Sequence, residues 1–96
     1  MRCGMKALQW ETLDEILIKL AKRVRNLRKR RNITQERLAD MSGVSLGSIK
    51  RFETIGQISL ASLTKIAIAL NCVEQIKQLF ENVEYLNIEE AIRENE

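Results

Sequence analysis

A chain of 96 residues with 45% apolar side chains suits one packed domain with some length to spare. It has no Pro, 4 Gly and no His, which favours helices with short connections and excludes a histidine-ligated zinc site or a His-dependent triad. The net charge of +3 hides an asymmetry: residues 1–51 carry 13 basic and 5 acidic side chains, residues 52–96 carry 3 and 8. A basic front suits a polyanion, and an acidic back keeps the opposite face away from it.

Two cysteines, Cys3 and Cys72, have no metal-ligand spacing, and neither a metal nor any other cofactor is expected. A disulfide between a tail and a helix end is not expected either. No apolar run approaches the roughly 20 residues that cross a bilayer, and the N-terminus lacks an apolar signal core. The chain is therefore expected in the cytoplasm with reduced thiols, and without a membrane partner.

Residues 1–11 show no clear period and read as a tail, with Leu8 and Trp10 its apolar members. Thr12 and Glu15 have capping-box spacing and open a first helix. Leu13, Ile16, Leu17, Leu20, Val24 and Leu27 follow at intervals of three and four, predicting a buried stripe. The other face carries Lys19, Lys22, Arg23, Arg25, Lys29 and Arg30. Asn32 tolerates the left-handed conformation that closes a helix.

Thr34 is placed to cap a second helix with Leu38 and Ala39 inward. Gly43 fits a sharp turn that needs positive φ, with Val44 filling the angle. Ser45 caps a third helix whose inward residues are Ile49 and Phe52. A loop is expected over Thr54–Ile58. Ser59 caps a fourth helix buried through Leu60, Leu63, Ile66, Ala67 and Leu70, ending at Asn71 and Cys72. A fifth helix is expected from Val73 to Phe80, burying Ile76, Leu79 and Phe80. Residues 82–87 read as extended, and Asn87 with Glu90 starts a last helix to about Glu94. The fold class predicted is all-α: about five short helices in a bundle over residues 12–80, plus a helical tail at 81–96.

Two helices joined by a tight turn, with seven Lys or Arg among the ten residues 22–31, form the pattern of a helix-turn-helix with a phosphate-facing flank. Thr34, Gln35, Leu38, Ala39, Gly43, Val44, Ser45, Ile49 and Glu53 stand at the spacings T-Q-x-x-L-A-x-x-x-G-V-S-x-x-x-I-x-x-x-E. In this the segment resembles the phage-repressor and Cro type of helix-turn-helix, the XRE family, whose fold is lambda-repressor-like. The family usually has Gly two residues after the Glu and a Pro before the fourth helix. Here Gly56 comes three residues after Glu53 and there is no Pro. The stretch Arg51 to Leu60, continuing to Leu79-Phe80, resembles the branch that contains the antitoxins of HipA-type kinase toxins.

The resemblance implies that the third helix enters the major groove of double-stranded DNA. Base contacts then fall on Leu46, Gly47, Ser48 and Arg51. Arg51 has the planar fork that bonds O6 and N7 of guanine together, with a merely solvated cation as the alternative. Leu46 offers apolar contact and Gly47 only close approach. Phosphate or mixed contacts fall on Arg30, Arg31, Thr34, Gln35, Ser45, Lys50 and Ser59. By the resemblance, Arg28 pairs with Glu53 as a structural ion pair.

The function implied is a sequence-specific transcriptional regulator, a homodimer on a palindromic operator, and first of all an antitoxin that represses its own operon beside a kinase-like toxin. A stand-alone repressor, a restriction-modification controller, or an interaction module that has lost DNA binding are the alternatives. Enzyme activity has no support: there is no convergent acid–base pair, phosphate loop or nucleophile setting. The tail at 81–96 is expected to contact a second subunit or another partner.

Overall fold

The computed structural model describes residues 10–95. Cys3 and Leu8, and most of the expected N-terminal tail, lie outside the described residues. Six helices follow in order: α1 Leu13–Arg30, α2 Gln35–Ser42, α3 Leu46–Ile55, α4 Leu60–Ala69, α5 Val73–Lys77 and α6 Ile88–Glu94. Among the described residues there is no strand, so the all-α class holds.

Helix boundaries follow local chemistry. The Thr12 hydroxyl accepts the Glu15 N–H at 3.1 Å while the Glu15 carboxylate accepts the Thr12 N–H at 2.8 Å, a reciprocal capping box. Thr34, Ser45 and Ser59 accept N–H groups of Arg37, Ser48 and Ser62 at 3.0–3.1 Å, each satisfying an orphan donor of a first turn. Asn32 (φ 59°) and Asn71 (φ 58°) close α1 and α4 in the left-handed region. The N–H after each reaches back five residues, Ile33 to the Arg28 carbonyl at 3.2 Å and Cys72 to the Ala67 carbonyl at 2.8 Å, as in a Schellman closure.

The core is one cluster. Leu38, Val44, Ile49, Ile66 and Leu70 are buried together, with Val24, Leu27, Ile33, Ala39, Ile58, Ala69 and Cys72 packed around it. Phe52 and Ala21 are also buried, as α3 packs across α1. Each fully buried Leu, Ile or Phe contributes about 1.5–3 kcal/mol of transfer free energy.

Four expectations need correction. The α1 stripe is only half a core stripe: Ala21 is buried and Val24 and Leu27 partly so, but Leu13, Ile16 and Leu20 are exposed. Their spacing is helical, yet among the described residues no second element covers these three side chains. Leu60 is also exposed, at the first position of α4. The fifth helix stops at Lys77, with Phe80 at φ 63° and both Leu79 and Phe80 exposed. Their three-and-four spacing fits a helix, but the core is already closed by Leu70 and Cys72, so only Ile76 finds partial cover.

The loop expected over Thr54–Ile58 begins later. Thr54 and Ile55 are helical, and Gly56 caps α3 at φ 78° with its N–H on the Phe52 carbonyl at 2.8 Å. The extra residue before the Gly is thus one more residue of helix. Gly56 is buried against α1, and a Cβ there would stand 2.7–2.8 Å from the backbone and Cβ of Leu17. No other residue fits both the φ and the space.

Candidate nucleic-acid interface

The turn between α2 and α3 sets the direction of α3. Gly43 takes φ 77° and its N–H closes α2 on the Ala39 carbonyl at 2.9 Å. Apart from its chain neighbours nothing crowds the place where a Cβ would be, so Gly43 is required by its φ and not by crowding. Val44 N–H donates to the Ser42 hydroxyl at 3.1 Å, and its side chain is buried where the helices meet.

With Ile49 and Phe52 turned inward, the opposite side of α3 exposes Gly47, Ser48, Lys50 and Arg51, while Leu46 is half-buried. Ser45 donates its hydroxyl to the Ser48 hydroxyl at 2.8 Å, so these two first-turn side chains present one polar edge. Thr54 donates to the Lys50 carbonyl at 2.7 Å. A shallow groove lined by Ser48, Arg51, Gln57, Ile58, Ser59 and Ser62 runs from this face to the start of α4. Arg51 donates to the Gln57 side-chain oxygen at 2.6 Å across it.

At the other end of the turn region, α1 finishes with Arg28, Lys29 and Arg30, followed by Arg31. Lys29, Arg30, Arg31 and Thr34 are exposed. Cations at a helix C-terminus also meet the negative end of its dipole, so the run is locally stable without any ligand.

Arg28 is different. Its side chain is 8% exposed and that of Glu53 4%. Nε donates to Glu53 Oε2 at 2.7 Å and Nη2 to Oε1 at 2.9 Å, a bidentate fork, while Nη1 donates to the Ile33 carbonyl at 2.7 Å. Ile33 N–H in turn donates to the Arg28 carbonyl, so one side chain ties α1, the turn after it and α3 together. Gln35 Nε2 adds a bond to Glu53 Oε1 at 2.9 Å, and Arg25 Nε lies 3.9 Å from the same oxygen. Burial alone would push the Glu53 pKa up, but hydrogen bonds from Arg28 and Gln35 and the charges of Arg28 and Arg25 outweigh it and hold the carboxyl below its ordinary value. Among the described residues, no buried side-chain nitrogen or oxygen lacks a partner.

The structure thus brings Ser45, Ser48, Arg51 and Ser59 onto one surface. It sets Arg28 and Glu53 behind that surface, and it turns the Gln35 amide nitrogen inward. Two participants had no place in the sequence reading. Gln57 sits in the loop where the chain departs from the family pattern, so no helical register located it. Arg25 reads as a solvated cation on periodicity alone, although it stands one turn before Arg28 and so shares its side of α1.

The helix-turn-helix family model matches residues 24–74, more than half of the chain. The protein belongs to this helix-turn-helix family. No curated protein and no solved structure matches the chain. The matched segment spans from the last half of α1 through the start of α5 and holds nearly every buried residue. A helix-turn-helix protein of this XRE type is a DNA-binding transcription regulator, and its family is regulatory and not enzymatic. Among the described residues no helix is long and apolar enough to cross a membrane.

Proposed function

We propose that this helix-turn-helix protein is a sequence-specific repressor that binds a two-fold symmetric operator as a homodimer, with α3 in the major groove. The observation that supports this most is the exposed face of α3, Gly47, Ser48, Lys50 and Arg51, standing free of the core that its other side builds. Arg51 reads a guanine, and Leu46, Gly47 and Ser48 approach neighbouring bases. Arg30, Arg31, Lys50 and the capped helix starts at Thr34, Ser45 and Ser59 hold phosphates. Gln35 offers phosphate its helix-start N–H, since its amide nitrogen is engaged by Glu53. Arg28 with Glu53 supports the interface from behind.

Within this reading the DNA-binding domain is residues 12–80 and residues 81–96 serve partner contact. Exposed Val83, Tyr85, Leu86, Ile88 and Ile92 supply apolar area in that tail. Together with the resemblance of about residues 20–80 to the antitoxin branch, this favours an antitoxin that represses its own operon and holds a kinase-like toxin. A stand-alone repressor is the second reading, and a kinase-like toxin encoded beside this gene separates the two.

The decisive measurement is affinity for a selected duplex across a salt series. If the dimer neutralises about 6–8 phosphates, log K falls against log salt with a slope of about −5 to −7. A slope near zero on that duplex refutes DNA binding by this face.

A further inference from the structure

Arg51 is already held in the DNA-free chain. Its Nη2 donates to Gln57 Oε1 at 2.6 Å, across the groove between α3 and the start of α4. A guanidinium carries only donors, so the atom of the Gln57 amide that faces it must be the oxygen. The bond also leaves Arg51 fit for DNA. Arginine has about five N–H groups, of which this bond takes one, while a fork on guanine takes two.

The two arginines bonded to this part of the chain differ in what holds them. Arg28 is buried, and the Glu53 carboxylate meets its charge. Arg51 is exposed, its partner is a neutral amide, and among the described residues no carboxylate is ion-paired with it. Its full positive charge therefore stays available to a polyanion.

Gln57 is anchored by its neighbours. Gly56 before it is buried at φ 78° against Leu17 of α1. Ile58 after it packs on the core cluster, and Ser59 caps α4 by accepting the Ser62 N–H at 3.0 Å. The Gln57 side chain itself is exposed. A long, flexible side chain of α3 thus meets one whose backbone is fixed by α1, the core and α4. The position lies where the chain departs from the family pattern, so the contact belongs to this chain's own loop.

We propose that Gln57 is a positioning residue for Arg51, whose oxygen presets the guanidinium before DNA arrives and so sharpens the preference for guanine. Binding costs less when a rotamer-rich side chain is ordered beforehand. The preset favours one geometry of the fork, whereas a free arginine swings to a phosphate or another base. Losing Gln57 therefore reduces discrimination more than affinity. Folding is little affected, since both side chains face water.

The inference rests on the reading of Arg51 as a base reader, and its first measurement needs no DNA. In the full chain alone, NMR relaxation at Arg51 Nε should show an ordered side chain that becomes mobile in Gln57→Met. That variant keeps the length, lacks the amide oxygen and should melt like the parent. On duplexes selected from a random pool by the parent, it should lose about 3- to 10-fold of the discrimination at the base pair that Arg51→Ala relaxes. Gln57→Glu, which keeps an acceptor, should retain that discrimination while binding all sequences more weakly through its charge. Added to Arg51→Ala, Gln57→Met should have no further effect. An Arg51 equally mobile in parent and Gln57→Met would overturn the proposal. So would a Gln57→Glu that loses discrimination as Gln57→Met does. Additive losses from Arg51→Ala and Gln57→Met would also overturn it and make Gln57 a DNA contact in its own right. An Arg51 ordered by Gln57, with no binding of any duplex, would sustain the positioning and remove the DNA-binding reading instead.

Discussion

Thr34, Ser45 and Asn87 cap their helices in the same way, each side chain accepting the N–H three residues on. After the first two caps come Leu38, Val44, Ile49 and Phe52, all buried. After the third come Ile88 and Ile92, both exposed, in a helix of seven residues. Even the side-chain bonds of this last region are local: Tyr85 donates to the Glu94 carboxylate, which raises the phenol's pKa, and Leu86 N–H donates to the Glu90 carboxylate. A cap decides where a helix starts. It does not decide whether that helix belongs to the fold, which depends on apolar area meeting other apolar area.

The comparison can be broken first at the ion pair. Arg28→Ala leaves Glu53 buried without its main partner and should cost about 3–4 kcal/mol of stability. Arg28→Met with Glu53→Leu should recover part of that loss, as thermal melts of the single and double variants will show. A single variant that melts like the parent but fails to bind DNA would make Arg28 a phosphate contact. The same pair predicts a pH dependence. The folded carboxyl of Glu53 lies below its ordinary value of 4.5, so the unfolded chain binds its proton at higher pH than the folded one. Its stabilisation is present above about pH 4.5 and is lost as pH falls through the folded pKa. The double variant should lack that acid-sensitive component.

A smaller loss is expected at Gly56. Gly56→Ala must hold a Cβ at positive φ and against the Leu17 backbone, at a cost of about 2–3 kcal/mol. Gly43→Ala faces open space and should lose only the φ part, about 1 kcal/mol. Equal losses in urea unfolding would show that the close approach of α3 to α1 contributes nothing.

Arg51→Ala should leave the fold intact and cost about 1–3 kcal/mol on the selected duplex, with preference relaxed at one base pair per half-site. Arg30→Ala should weaken all sequences alike. Binding arrays in which Arg51→Ala loses equally on every sequence would remove Arg51 as a base reader.

The smallest effect on stability is expected from the tail. A chain ending at Asn82 should unfold within about 0.5 kcal/mol of the parent, while losing contact with any partner that the tail serves. If it unfolds, residues 83–96 belong to the core after all.

Much of the fold was legible because its signals are local. Asn32 and Gly43 marked turns by their tolerance of positive φ, Asn71 marked a helix end, and Thr12, Thr34, Ser45, Ser59 and Asn87 marked helix starts by their side-chain oxygens. Periodicity was less reliable. It assigned Leu13, Ile16, Leu20, Leu60, Leu79 and Phe80 to a core that does not reach them, because spacing reports which residues share a face and not what lies opposite. The candidate site divides along the same line. The outward position of Ser48 and Arg51 follows from helical register once Ile49 and Phe52 point inward. The meeting of Arg51 with Gln57, and of Gln35 and Arg25 with Glu53, joins residues from different elements.

The sequence by itself determined the helix-turn-helix, its sharp turn and the basic flank beside it, since each arises from residues within a few positions of one another. Only the tertiary structure decided that Gly56 must be glycine because Leu17 presses on it, and that the core closes at Leu70 and Cys72. It also decided that two sets of apolar residues, Leu13, Ile16 and Leu20 in α1 and Val83 to Ile92 in the tail, have no cover among the described residues. Those outcomes depend on which surfaces meet across the chain, and a local pattern carries no record of its distant neighbour.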